Sequence, residues 1–169
     1  MFKTATRQGT KGSRSLLTGI AGGLLAGVVV GQVDRLLDRF VGAEVKRRDR
    51  QVREAPGHRV AGPHFAHKLL RRPLSEPEKR RAKLIFGIAY GVMWGLIYTG
   101  VRRKAPQLAR FAGVPFGVPF FLACDGLMAP LLRVNPTLDK IPWQSSAKEL
   151  ANHVAWTATA EMVHRAAAR

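Results

Sequence analysis

Hydrophobic positions of the chain gather in long uncharged stretches that are separated by strongly basic segments. Residues 15–33 carry no charge, and neither do residues 84–101. A third stretch, residues 111–132, is interrupted by charge only at Asp125. A helix of about 20 apolar residues crosses the hydrocarbon core of a bilayer, about 30 Å thick. The pattern therefore predicts three membrane-spanning helices.

A fourth helical pattern ends the chain and is less apolar, because Glu149, Asn152, His153 and Glu161 interrupt it. Alone it would be an amphipathic helix at the membrane surface. We expect it to complete a bundle, with its polar groups facing protein rather than lipid. The predicted fold class is an all-α integral membrane bundle of about four transmembrane helices. The predicted spans are residues 15–33, 82–101, 111–132 and 147–165.

Local signals mark where two of these helices begin. Ser75 and Glu78 have the spacing of a capping box, with Pro77 in the first turn, so a helix is expected to begin near Glu76. Ser146 and Glu149 have the same spacing and predict a second capping box, at the start of the last helix.

Prolines distinguish the third stretch from the others. The repeat "GVPFGVPF" places Pro115 and Pro119 one helical turn apart, and Pro130 lies near the far end. A proline inside a helix removes a backbone donor and crowds the preceding turn. We expect a distorted helix there, or one whose start is delayed to about Val118.

The remaining segments are polar and basic. Residues 1–14 are expected to form a mobile basic arm, followed by a single membrane domain over residues 15–169. Within that domain, residues 34–81 form a basic connector that we expect to lie as an amphipathic, cationic helix on the membrane surface. The positive-inside rule favours a cytoplasmic connector with both termini outside, although the basic arm argues for the opposite orientation.

Glycines recur at four-residue intervals in the first two spans. Each glycine costs a helix about 1 kcal/mol relative to alanine. In lipid, small residues allow helix backbones to approach closely, which replaces the hydrophobic driving force that is missing there. We therefore predict helix-packing faces of the glycine-zipper kind. These glycines are Gly19, Gly23, Gly27, Gly31, Gly87, Gly91 and Gly95.

The strongly positive net charge indicates which kinds of molecule the chain would bind. The chain has 28 Lys and Arg against 11 Asp and Glu, a net charge of +17. The basic stretch over residues 35–83 has few aromatic residues and joins apolar spans, so a lipid bilayer with anionic headgroups is the expected partner rather than nucleic acid. A membrane-tethered nucleic-acid-binding protein is the alternative. The chain also allows a homo-oligomer.

Residues typical of enzymes do not form a recognisable pattern. Cys124 lacks an evident base, and there is no nucleophile elbow and no phosphate-binding glycine loop. His58, His64 and His67 are too loosely spaced for a metal site and lack accompanying cysteines. We expect no enzymatic activity, no cofactor and no metal.

Titratable residues in the last two helices are the candidate functional site. Asp125, His153 and Glu161, with Glu149, would form a polar intramembrane cluster. Such a cluster could relay protons or bind a cation. The alternative, which we favour, is a structural role, with Glu149 capping its helix, Glu161 paired with Arg165, and Asp125 and His153 hydrogen-bonded between helices.

The second half of the chain contains "AYGVMWGLIY", "CDGLMAP", the "PW" at Pro142 and Trp143, and "ELANHVAWTATAEMVHR". These motifs are the most specific part of a resemblance to the YagU-like bacterial inner-membrane proteins, a domain family of unknown molecular function. The resemblance covers residues 19–165. The segment "PLLRVNP" departs from the family because it lacks the glycine that often follows the proline. The resemblance implies a multi-pass protein of the cytoplasmic membrane associated with acid resistance.

Together these features predict a non-enzymatic protein of the bacterial cytoplasmic membrane that contributes to envelope or acid-stress tolerance. The alternative is a small proton or cation channel or transporter that uses the Asp, His and Glu cluster.

Overall fold

A computed structural model describes the backbone of residues 3–169 and the side chains from Ser13 onward. The described part is helical and contains no strand, so the predicted helical bundle is confirmed. The first four helices are α1 (Lys3–Leu37), α2 (Ala43–Val52), α3 (Gly57–Leu70) and α4 (Glu76–Lys104). Two further helices follow, α5 (Val114–Phe121) and α6 (Trp143–Ala167).

Three helical segments are long and apolar enough to cross a membrane. They are Ser13–Leu37, Glu76–Lys104 and Phe111–Leu131. Each contains one of the three most apolar predicted spans or nearly all of it. The less apolar α6 lies along α1 and also packs against α5, which places it inside the helical assembly.

The structure of the basic amino-terminal arm differs from the predicted mobile segment. The backbone is already helical from Lys3, so α1 includes most of residues 1–14. No proline interrupts this part of the sequence, and helix formation propagates readily from the apolar stretch that follows. Met1 and Phe2, which belong to the same predicted arm, lie outside the described residues.

The structure confirms one of the two predicted capping boxes and contradicts the other. Both halves of the Ser75–Glu78 box are present, and α4 begins at Glu76 as predicted. The Ser146–Glu149 box is wrong, because α6 begins one turn earlier, after Pro142. Proline is well suited to a helix start, since its fixed φ angle and missing N–H cost nothing there. Glu149 is therefore free to face the interior of the bundle.

The third span is distorted, as its prolines predict. Gly113 enters it with φ 79°, and α5 then runs through Pro119. The next residues, Leu122–Met128, form a π-helix, and one last α-helical turn covers Ala129–Leu131. Pro119 lacks the N–H that would bond one turn back, and the wider π-helical turns begin three residues after it. Asp125 lies in this widened segment.

Glycines bring α1 and α4 into backbone contact. A Cβ on Gly19 would lie 2.9 Å from the carbonyl oxygen of Gly95, and one on Gly91 would lie 3.1 Å from that of Gly23. A Cβ on Gly23 would overlap the carbonyl oxygen of Gly91. These four positions therefore accept no larger side chain without separating the two helices.

The other predicted packing glycines do not share this role. A Cβ on Gly27, Gly31 or Gly87 would meet nothing within 4 Å. The glycine repeat is longer than the contact because α1 and α4 cross, so the helices touch over only part of their length. The packing face predicted over all seven glycines is thus corrected to its central portion.

Aromatic rings fill the centre of the bundle. Trp94 and Phe120 have ring centroids 4.3 Å apart, and Phe120 and Trp156 are 5.2 Å apart. Tyr98 packs against Phe116 at 5.2 Å. These residues belong to one buried core, to which α4, α5 and α6 contribute the rings and α1 contributes Ala26. The core separates two groups of polar side chains, one at each end of the bundle.

Candidate functional site

Asp34 is the centre of a polar network at the connector end of the bundle. It is the first charged residue after the apolar part of α1, and only 3% of it is exposed. Its carboxylate accepts hydrogen bonds from Asn152 at 3.0 Å and from the guanidinium group of Arg59. The ammonium group of Lys148 lies 3.2 Å away. Asp34 thereby ties α1 to both α3 and α6.

Glu149 is a second buried carboxylate in the same region, with 4% of the residue exposed. Its Oε2 lies 3.6 Å from Nδ1 of His58, while Oε1 lies 4.0 Å from the guanidinium group of Arg53. Oε1 makes no hydrogen bond within the described part of the chain. A buried carboxylate with an unsatisfied oxygen is costly, and the nearby cationic groups offset part of that cost.

His58 connects both carboxylates to solvent. Its Nε2 lies 4.0 Å from Asp34 Oδ2, and its side chain is 42% exposed. It sits in the first turn of α3, directly after Gly57, whose small size lets α3 approach the third span. A titratable ring that is open to water thus stands between two buried acids from different helices.

Asp125 and His153 form a pair beside this network. Oδ2 of Asp125 lies 3.4 Å from Nε2 of His153, and each side chain is 14% exposed. Nδ1 of His153 lies 2.9 Å from the carbonyl oxygen of Glu149. A carbonyl oxygen only accepts, so Nδ1 must donate. A proton on either partner would turn this 3.4 Å contact into an ion pair or a hydrogen bond.

The loop after the third span and α2 close the network from outside. Arg53 is nearly buried and donates to Asp49 at 2.8 Å. With its amide oriented to satisfy its neighbours, Asn135 accepts from Arg53 at 3.1 Å and from the backbone N–H of Gly57 at 3.0 Å. Buried charged groups therefore help to attach the connector to the bundle, beside the ring contact between Phe65 of α3 and Phe86 of α4.

Glu161 belongs to a different network at the other end of the bundle. Its Oε2 accepts from Tyr98 at 3.0 Å and from Arg102 at 2.8 Å, and its Oε1 accepts from Arg165 at 2.8 Å. Both carboxylate oxygens therefore have charged or hydroxyl donors. Nearby, Thr99 and His164 are 3.1 Å apart. This is a closed structural clamp between α4 and α6.

The polar cluster predicted from the sequence is thus divided in two. Asp125, His153 and Glu149 come together at the connector end, whereas Glu161 does not join them. Glu161 is 12 residues beyond Glu149 on α6, about 18 Å along the helix axis. Trp156 and the aromatic core occupy the space between. The structure gives Glu161 the arginine pairing with Arg165 that was the structural alternative.

Sequence reasoning missed the most connected members of the site. Asp34, His58 and Asn152 were not among the candidate residues, because their partners are distant in sequence. One signal was available. Asp34 and Asp38 follow directly on an uncharged stretch, and acids at the end of a span must either reach water or find a partner.

The three connector histidines do not converge. His58 faces Asp34 and Glu149, whereas His64 and His67 line a cleft on another side of α3. Within the residues described, no group of three or more His, Cys, Asp or Glu side chains is arranged to hold a metal ion.

Comparisons with known proteins found no relative of this chain. No protein-family model, no curated protein and no solved structure matches the chain.

Proposed function

We propose that the chain is a non-enzymatic, multi-pass protein of the bacterial cytoplasmic membrane that responds to protons and contributes to envelope or acid-stress tolerance. The proposal rests above all on one observation: solvent-exposed His58 stands between the buried carboxylates of Asp34 and Glu149. The resemblance to YagU-like proteins agrees with this setting.

Protonation of His58 would strengthen the docking of α3. Imidazole changes its charge between about pH 5 and pH 8. An imidazolium at this position would lie within 4.0 Å of the carboxylates of both Asp34 and Glu149, so its charge would draw α3 toward α1 and α6. A charged ring would therefore hold α3 against the bundle more strongly than a neutral ring.

Every element around His58 contributes charge to this balance. Asp34 comes from α1, Arg53 with Asp49 from α2, and Arg59 from α3 itself. Lys148 and Glu149 come from α6, and the Asp125–His153 pair lies beyond them. Arg53, Arg59 and Lys148 already neutralise part of the acidic charge. A proton on His58 would therefore change how strongly α3 docks, but α3 would dock without that proton as well.

The distribution of polar groups favours a proton response over a conduction path. The connector-end network contacts solvent through His58, while Trp94, Phe120 and Trp156 fill the bundle beyond it. At the far end, Glu161 is held by Arg102 and Arg165. A proton or cation channel that uses Asp125 remains the second candidate, supported by the Asp125–His153 contact.

The test is hydrogen–deuterium exchange of α3 in the full chain, reconstituted in lipid nanodiscs, at several pH values. After correction for the chemical exchange rate, protection of α3 should increase as the pH falls from about 8 to about 5.5. His58→Gln should make the protection independent of pH. His67→Gln is the matched control, since His67 is on the same helix outside the network.

A pH-independent protection of α3 in the wild-type chain would contradict the proposal. Cells carrying the His58→Gln gene should also survive acid challenge less well than cells carrying the wild-type gene. Proton flux into liposomes that is abolished by Asp125→Asn would instead support the channel.

A further inference from the structure

A cationic cleft of about 900 Å³ lies between the connector and the ends of two candidate spans. Its walls come from the end of α2, one side of α3, the first turns of α4 and the loop after the third span. Its charged lining consists of Arg53, Arg59, Lys79, Arg80, Lys83 and Arg133, with Glu54 as the one acid among the lining residues.

Three of these cations are held by no hydrogen bond or close ion pair within the described residues. Arg53 and Arg59 are bound by acids of the polar network, and Lys79 pairs with Glu76 at 2.8 Å. By contrast, the side chains of Arg80, Lys83 and Arg133 are exposed and make no hydrogen bond or ion pair to any residue the structure describes. They face one cavity from α4 and from the loop opposite.

The cleft also has a polar group that lacks a partner. His64 lines it, and the Nε2 atom of its ring is buried without a hydrogen bond in the described part of the chain. A rigid contact fixes this wall, since a Cβ on Gly62 would lie 2.6 Å from the carbonyl oxygen of Ala82 on α4. The spacing of α3 and α4, and with it the width of the cleft, is therefore set by backbone contact.

We infer that this cleft binds a phosphate group through Arg80, Lys83 and Arg133. Arginine and lysine are the side chains that bind phosphate oxygens most strongly, through charge-assisted hydrogen bonds. Basic pockets between membrane helices at the headgroup level hold the headgroups of anionic lipids. A phosphate-bearing ligand would occupy this volume and neutralise the unpaired charge.

Neighbouring apolar residues favour an anionic phospholipid as the source of the phosphate. Leu84 follows Lys83 and is 64% exposed, and Leu131 lies two residues before Arg133 and is 76% exposed. A lipid with its phosphate in the cleft would therefore find exposed apolar side chains next to it for its acyl chains. The lipid source rests on the membrane location proposed above, whereas the phosphate site itself does not depend on the proton response.

The test measures lipid binding to the full chain in detergent by native mass spectrometry. The probes are dioleoyl phosphatidylglycerol, dioleoyl phosphatidylcholine and inorganic phosphate. The test variant combines Arg80→Gln, Lys83→Gln and Arg133→Gln. The matched control combines Arg50→Gln, Lys68→Gln and Arg81→Gln, which removes the same charge from exposed connector or α4 positions outside the cleft.

We expect phosphatidylglycerol to bind at least about tenfold more tightly than phosphatidylcholine, and the test variant to lose at least about tenfold in that affinity. The control variant should lose much less. An equal loss in both variants would overturn the site, because it would show attraction to overall charge. Equal binding of the two lipids by the wild-type chain, which needs no variant to fold, would overturn it as well.

The remaining outcomes identify the source of the phosphate. Displacement of phosphatidylglycerol by inorganic phosphate at millimolar concentration would support the phosphate site but overturn its assignment to lipid. Displacement by a short DNA duplex and not by inorganic phosphate would overturn the proposal in favour of nucleic acid. None of the three substituted cations contacts Asp34 or Glu149. If the lipid-binding test failed, we would therefore still expect hydrogen exchange in α3 to depend on pH.

Discussion

Gly23 on α1 and Gly91 on α4 face each other with so little space that a Cβ on Gly23 would overlap the carbonyl oxygen of Gly91. Gly27, one turn further along α1, has no atom within 4 Å of the same hypothetical Cβ. The two positions belong to one sequence repeat but to different environments, which allows a controlled comparison.

Gly23→Ala should destabilise the bundle by about 1–3 kcal/mol, because the added methyl group forces α1 and α4 apart. Gly27→Ala should be neutral or slightly stabilising, since alanine is the better helix former and meets no neighbour there. Thermal unfolding midpoints of the two variants in the same detergent provide the measurement. Equal midpoints for both variants would contradict the close approach of the helices.

Asp34→Asn should loosen the connector. The amide keeps the shape of the side chain but leaves Arg59 and Lys148 without their buried counter-charge, a change that costs about 3 kcal/mol in comparable sites. Cleavage of the connector by trypsin should then become more than about tenfold faster, since proteolysis follows the population of the open form.

Glu44→Gln is the control for this experiment, because Glu44 is an exposed carboxylate on α2 that pairs with Arg48 at 3.0 Å. Its cleavage rate should match that of the wild-type chain. A wild-type rate for Asp34→Asn as well would show that the connector is held by other contacts.

Glu161→Gln should destabilise the end of the bundle opposite to the connector. Arg102 and Arg165 would lose the carboxylate that both of them bind, and we expect a cost of about 2 kcal/mol. The same substitution at Glu76, which pairs with Lys79 at a fully exposed position, should cost much less because water screens that pair. The thermal unfolding midpoints of Glu161→Gln and Glu76→Gln in the same detergent measure this difference.

The pKa of Asp38 should depend on its contact with Lys46. The hydrogen bond from the Lys46 ammonium group lowers the pKa of Asp38 below its ordinary value of 3.8, and Lys148 adds to the effect. A group with a lowered pKa stabilises the fold above its ordinary pKa, and this contribution is lost as the pH falls through the lowered value. Lys46→Gln should therefore raise the pKa of Asp38 toward 3.8, measured by NMR titration of the carboxyl carbon.

Lys140→Gln removes a charge elsewhere on the surface and should leave the Asp38 titration unchanged. If both lysine variants shift the titration equally, the effect comes from net charge and not from the Lys46 contact.

The sequence predicted the helices well because their signals are local. Uncharged stretches, Ser75 with Glu78, and Pro119 each act within a few residues, and the structure has the corresponding helix, cap and distortion. The start of α6 was mistaken for a similar reason: Pro142 competes with Ser146 as a start signal, and spacing alone does not rank them.

The candidate site was less predictable because its contacts join distant segments. Whether Gly27 packs as Gly23 does depends on where α1 crosses α4, and no local pattern encodes that crossing. In the same way, Asp34 and Asn152 are 118 residues apart in sequence, yet they share a hydrogen bond. Helical periodicity placed Glu149 and His153 on one face but could not show that Glu161 lies with a different set of partners.

Arg59 belongs to both sites that the structure suggests. Its guanidinium group bonds to Asp34 in the polar network, and the same residue lines the cationic cleft. Two ligands that bias the position of one side chain must influence each other reciprocally and by the same factor. A lipid whose phosphate also drew Arg59 away from Asp34 would change the proton affinity of the chain, and acid would then change its lipid affinity. In that case one helix would couple the composition of the bilayer to the acidity beside it.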